Sequence, residues 1–220
     1  MIDLQRDGDV LVLRLEEGEN RFSPGFLDGV LEALDAAEKA EGPRALVTVG
    51  AGKFYSNGLD LDWLGANRDK LGDYLRRVQE MFARLLELPM PTVAAVNGHA
   101  FAGGAMLALC HDFAVMRTDR GFFCLPEVDL GMNFTPGMSA LIQARLPKVT
   151  AHEAMITGRR YTAQEALAAG IVSQAVPEEQ VLPAALERAA GLAGKDGPTV
   201  AKIRTRMYAQ VLEALRGPLS

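Results

Sequence analysis

An α/β fold with a helical C-terminal region is what the sequence predicts, on three observations. Short, apolar, valine-rich runs at residues 9–15, 45–49, 92–96 and 113–116 alternate with longer stretches whose apolar residues recur at three and four. Glycine-rich turns stand where one kind of run gives way to the other. After Thr135-Pro136-Gly137 the strand pattern nearly stops and helical patterns follow one another.

Taken in order, DVLVLRL (Asp9 to Leu15) alternates like a strand. Ser23-Pro24 is a helix start, and Phe26, Leu27, Val30, Leu31, Leu34 and Ala37 form one face of a helix that ends near Gly42-Pro43. ALVTV (Ala45 to Val49) is a buried strand, Gly50 to Asn57 a loop, and Asp69 to Leu88 an amphipathic helix with Leu71, Tyr74, Leu75, Val78, Met81, Phe82, Leu85 and Leu86 on its core face. Thr92 to Val96 is the next strand, the segment through Ala102-Gly103-Gly104 a turn, and the apolar stretch behind it a helix. Phe113 to Met116 is another strand. The later helices are expected at Met138 to Leu146, Ala151 to Ile156, Ala163 to Ala169 and Glu178 to about Gln210, with a break near Gly194 to Pro198 and one short strand at Ile171-Val172. These patterns divide the chain into an α/β core, residues 1–150, and a helical region, residues 151–220, that packs on the core or on a neighbouring subunit.

Composition sets limits. The 220 residues, 49% of them hydrophobic, suffice for a full core. A net charge of −5, with Arg84, Arg159, Arg160, Arg204 and Arg206 scattered, argues against a nucleic-acid partner. No stretch has the length of a membrane span, and the N-terminus lacks a signal pattern, so a cytoplasmic protein is expected. Cys110 and Cys124 sit in apolar contexts and read as buried thiols in a reducing compartment. His99, His111 and His152 share no ligand spacing with Cys or carboxylates and read as structural, so no metal is expected.

Two loops and one carboxylate carry the chemistry. Phe54-Tyr55-Ser56-Asn57-Gly58-Leu59 and Ala100-Phe101-Ala102-Gly103-Gly104 each follow an apolar strand and lead through glycine into a helical segment. Side by side, they would each offer a backbone N–H to one oxygen, an oxyanion hole; their spacing alone favours ordinary strand-to-helix turns. Glu127 follows Pro126 inside the run Phe122, Phe123, Cys124, Leu125, Val128, Leu130. Burial would raise its pKa into the range of a general base, and the competing reading is a carboxylate that caps a turn or pairs with Arg. Asp129 reads as a turn residue, Asp60 and Asp62 as helix N-terminal groups. No nucleophile elbow and no dinucleotide fingerprint is present.

GKFYSNGLDL, PTVAAVNGHAFAGGAMLALCHDFAVM, FCLPEVDLG and TGRRYTAQEALAAGIVSQAV, in that order, resemble the enoyl-CoA hydratase/isomerase (crotonase) superfamily over residues 5–180. The resemblance implies a spiral of ββα units with a helical C-terminal region, assembled as a homotrimer or dimer of trimers. It implies an acyl-CoA thioester as substrate, coenzyme A being part of that substrate and no other cofactor being needed. The oxyanion donors map to the N–H groups of Leu59 and Gly103, and the catalytic acid to Glu127. Hydratases of the family use two glutamates; Met106 stands at the first position, which favours the Δ3,Δ2-enoyl-CoA isomerases, where one glutamate shuttles a proton. Ser56, Asn57, Gly58, Asp60 and Gly104 belong to the two loops, and Leu64, Phe101, Met106 and Phe134 line the acyl pocket in this reading. Lys53 and the Arg159-Arg160 pair are candidates for the CoA phosphates or adenine. Another crotonase-type reaction (hydratase, thioesterase or hydrolase) and a non-catalytic acyl-CoA binder are the alternatives.

Overall fold

A computed structural model describes all of residues 1–220. Strand β1 (Ile2–Asp7) runs antiparallel to β2 (Val10–Leu15), and helix α1 (Pro24–Lys39) follows. The Ser23 side chain accepts the Phe26 N–H at 3.1 Å and Pro24 opens the first turn, as the sequence signals.

The next three units repeat one plan. β3 (Ala45–Gly50), β5 (Thr92–Val96) and β7 (Phe113–Arg117) enter the large sheet, and each is followed by a much shorter strand of a second sheet: β4 (Phe54–Ser56), β6 (His99–Phe101) and β8 (Phe123–Cys124). Helices close each unit: α2 (Leu61–Ala66) and α3 (Leu71–Glu87) after β4, α4 (Gly103–Leu109) after β6, and α5 (Pro136–Arg145) after β8. This is the expected spiral of ββα units. With β9 (Gln174–Val176) as its last strand, the large sheet has the order β1-β2-β3-β5-β7-β9 and the small one β4-β6-β8, parallel throughout except for β1.

Several expectations need correction. Residues 54–56 are a strand rather than loop, and His99–Phe101, read as part of the glycine turn, is a strand as well. Segments of two or three residues show no periodicity; they are strands because parallel neighbours take up their backbone groups. β1 was hidden by the charges of IDLQRD, which suit an edge strand. The short late strand lies at Gln174–Val176 (β9) instead of Ile171-Val172, which are buried turn residues, and it pairs with β7 as the other edge of the large sheet. Leu71, placed on the core face of α3, is 46% exposed.

Both faces of the large sheet are covered. Leu11, Leu13 and Leu15 face one core with α1, α3, α4 and α5, while Val10, Val12, Val47, Val93 and Val115 face another against Val181, Ala185 and Ala189 of α8 (Glu178–Ala190). A sheet buried on both faces reads as continuous hydrophobic runs, which is why ALVTV and TVAAV lack alternation. Helix α6 (Lys148–Thr157) packs on the 3-10 turn after β8 and on α5, α7 (Ala163–Ala168) packs on β9, and α9 (Gly197–Met207) and α10 (Ala209–Arg216) return to α3 and α5. No helix is long and apolar enough to cross a membrane.

Candidate active site

The two glycine loops meet. Phe22 donates its N–H to the Gly58 carbonyl at 2.8 Å, and Gly58 lies at φ +78°, a left-handed conformation suited to glycine. A Cβ on Gly58 would stand 2.6 Å from the Gly103 nitrogen, and one on Gly104 would overlap the Ser56 carbonyl, so neither loop tolerates a side chain where they touch. Ser56 locks the first loop: its Oγ donates to the Asn20 carbonyl at 2.7 Å and accepts the Gly58 N–H at 3.1 Å. Asn20, buried and at φ +50°, donates through Nδ2 to the Tyr55 carbonyl at 3.1 Å. Ala102, just before α4, also has φ +50°, a strained conformation for a residue with a Cβ. The Leu59 and Gly103 N–H groups donate to no acceptor of the chain, and both residues line one cavity of about 600 Å³.

Glu127 lines the same cavity. It sits in a one-turn 3-10 segment, Pro126–Val128, whose chain closes on itself: the Glu127 carbonyl accepts the Leu130 N–H at 3.1 Å and the Met132 N–H at 2.9 Å. The residue is 6% exposed and its Oε2 is buried with no hydrogen-bond partner, so burial, opposed by its own backbone N–H, pushes its pKa up to about 7. The only other carboxylate in the lining, Asp62, is paired with Arg21 at 2.6 Å and largely exposed. Neither the capping nor the Arg-pairing alternative for Glu127 is realised.

Of the other residues singled out in the sequence, Asn57, Leu64, Phe101, Met106 and Phe134 line the cavity. Ser56, Gly58 and Gly104 shape the loops behind it. Asp60 caps α2, accepting the Trp63 N–H at 3.1 Å, and lies outside the lining, as does Lys53, whose ammonium is 5.3 Å from the Phe54 ring centre. Arg159 is held by Glu153 and Glu165, each at 2.9 Å, whereas Arg160 lies over the Phe101 ring, 5.8 Å from its centre. His111 is buried between Thr48 Oγ1 (3.0 Å) and the Leu107 carbonyl (2.9 Å), and burial holds its pKa down to about 4. His99 packs among Phe54, Phe101 and Phe122. Cys110 and Cys124 are free and buried.

Sequence reasoning missed Arg21, Asp62 as its partner, Leu61, Leu75, Asn133 and Met138 as lining residues.

The chain matches the family profile described as enoyl-CoA hydratase/isomerase over residues 5–217. It is 39% identical to the Arabidopsis thaliana protein named enoyl-CoA delta isomerase 2, peroxisomal, with 96% of this chain and 93% of that one covered. Among solved structures it is similar to the apo enoyl-CoA isomerase of Mycobacterium tuberculosis, with 30% identity, a TM-score of 0.91, and 98% and 94% of the two chains covered. A structure named as an enoyl-CoA hydratase of Mycobacterium marinum is similar too, at 30% identity and a TM-score of 0.90, with 98% and 94% covered. By sequence and by fold alike, the chain belongs to the enoyl-CoA hydratase/isomerase family.

Proposed function

We propose that the protein is an acyl-CoA isomerase that moves a double bond from the 3,4 to the 2,3 position of an enoyl thioester. The observation that carries this reading is the solitary buried carboxylate of Glu127, its Oε2 without a partner, in a mostly apolar cavity that Met106 also lines. The relatives named enoyl-CoA delta isomerase support it.

The thioester oxygen accepts the N–H groups of Leu59 and Gly103. Glu127, ionised, takes a proton from C2; the electron pair forms a dienolate whose charge rests on that oxygen. Glu127, now a neutral acid, returns the proton to C4, the double bond settles between C2 and C3, and the carboxylate is regenerated. Hydration would need a second group to handle water, and methionine offers neither a base nor an acid. The two donors stabilise charge only as it develops, and each is worth about 3 kcal/mol in comparable sites.

The same reading carries a homotrimer or dimer of trimers, for which the exposed Val149 and Ile156 on α6 are surfaces a subunit contact would cover, and a reducing compartment, consistent with the free Cys110 and Cys124. The test is spectroscopic conversion of a 3-enoyl-CoA to the conjugated 2-enoyl-CoA. Glu127→Gln is expected to lower turnover by at least 10²-fold while retaining ligand binding. Absence of turnover by the wild type, or full activity in the variant, overturns the assignment.

A further inference from the structure

The loop that carries the Leu59 N–H can be followed bond by bond. Of the four consecutive N–H groups from Gly58 to Leu61, three have an acceptor within the chain: Gly58 donates to Ser56 Oγ at 3.1 Å, Asp60 to the phenol oxygen of Tyr74 at 3.0 Å, and Leu61 to the Leu59 carbonyl at 3.1 Å. Leu59 alone is left over, at a residue that lines the cavity. Backbone amides in folded chains are nearly all paired, so a loop that satisfies its other N–H groups and spares this one keeps it for a ligand.

The peptide planes decide where that N–H points. In a trans peptide the N–H lies opposite the C=O. The Gly58 carbonyl shares its peptide with the Leu59 N–H, and it accepts the Phe22 N–H at 2.8 Å. The next peptide, from Leu59 to Asp60, is held at both polar groups, its carbonyl by the Leu61 N–H and its N–H by Tyr74. Leu59 is thereby held against rotation from both sides. Tyr74, the fourth residue of α3, is the one side chain from outside the loop that takes part.

We propose that Tyr74 is a positioning residue for the oxyanion hole: by accepting the Asp60 N–H it keeps the neighbouring Leu59 N–H directed at the thioester oxygen. The inference rests on the acyl-CoA reading of the site. The acceptor suits the task. Tyr74 is 3% exposed and its ring packs on Trp63 of α2, the ring centres 5.4 Å apart, so its oxygen has a fixed place. Burial pushes the phenol pKa up to about 12, so the oxygen accepts as a neutral group. It therefore anchors the loop without adding a negative charge beside the oxygen on which charge develops.

The test reads the polarisation of the bound carbonyl, which a merely structural residue would not alter. Hexanoyl-CoA cannot isomerise, and with an isotope label at its thioester carbonyl carbon, infrared difference spectra of its complex report the C=O stretch. The wild type is expected to lower that frequency relative to free hexanoyl-CoA. Tyr74→Phe keeps the ring and loses only the acceptor. Its complex is expected to show a smaller lowering, and kcat on hex-3-enoyl-CoA to fall about tenfold with KM nearly unchanged, less than the roughly 10²- to 10³-fold that loss of a whole donor costs. A second measurement needs no variant. In the wild type the Asp60 amide is expected to exchange its hydrogen slowly with or without hexanoyl-CoA, and the Leu59 amide to become slow only in the complex. A Tyr74→Phe protein that melts lower but keeps both the carbonyl frequency and kcat overturns the proposal, as does an Asp60 amide that exchanges freely. A carbonyl lowered in the wild type and less so in the variant, with no turnover of any 3-enoyl-CoA, removes the isomerase and leaves the role of Tyr74 standing. Turnover with the same carbonyl frequency in both proteins does the reverse.

Discussion

Gly58 and Gly103 are packed so closely that a Cβ on the first would stand 2.6 Å from the amide nitrogen of the second. That contact fixes the separation of the two N–H donors, at Leu59 and Gly103, through backbone alone. Neither glycine has room for a side chain of its own, the Phe22 ring closes the junction from the Gly103 side, and Ala102 just before it is held at φ +50°.

Gly58→Ala is therefore expected to move one donor off its target. The substitution is doubly opposed, by contact with Gly103 and by φ +78°. Loss of one such donor costs 10²- to 10³-fold in other enzymes, and a kcat lowered by about 10²-fold with a smaller change in KM is the expected outcome. Steady-state kinetics on a 3-enoyl-CoA measures it.

The pH dependence of turnover follows from Glu127. In the proposed isomerisation Glu127 must be ionised to take the C2 proton, and burial raises its pKa to about 7. kcat/KM is expected to fall about tenfold per pH unit below about 7 and to level off above it. A profile flat down to pH 5 would mean that Glu127 is not the base in the free enzyme.

These two features differ in how far the sequence revealed them. The long elements were legible because each buries a continuous face: Phe26, Leu27, Val30, Leu34 and Ala37 of α1 are all buried as their spacing requires. The small sheet was not, since β4, β6 and β8 owe their form to one another and lack any pattern of their own. In the site, glycines and a lone carboxylate among apolar residues were visible because local chemistry marks them. Arg21, Leu61, Leu75 and Met138 were not, because nothing in their own neighbourhoods distinguishes a cavity wall from a helix face.

Arg204 joins the C-terminal helices to the large sheet. It is 5% exposed, donates to the Leu88 carbonyl at 2.9 Å and to Asp112 Oδ1 at 3.0 Å, and also pairs with Asp112 Oδ2, which accepts the Thr92 N–H at 2.8 Å. Arg204→Met leaves Asp112 without its cation and Leu88 without a donor. A loss of about 3 kcal/mol is expected by denaturant unfolding. Arg204→Met with Asp112→Asn is expected to recover part of that loss, because the stranded charge is then gone.

Glu127 itself is expected to cost the protein stability where it works. A carboxyl whose pKa is raised on folding, here from 4.5 to about 7, binds its proton more tightly in the native state than in the unfolded one. The native state therefore holds the extra proton between those two values, and stability falls as pH rises through that window. Below pH 4.5 both states are protonated and nothing is lost; above pH 7 the full difference, on the order of 3 kcal/mol, is. Glu127→Gln never ionises, so it is expected to be the more stable protein at pH 8, by about 1–3 kcal/mol once the new amide's unmet hydrogen bonds are allowed for. At pH 4.5 the two are expected to melt close together. Thermal unfolding of both proteins at the two pH values measures this, with roughly 2–4 °C for each kcal/mol in a chain of this size. An equal difference at both pH values would assign the effect to packing. A difference confined to high pH would show that the dry surroundings that make Glu127 a base near neutrality are held at the expense of the fold.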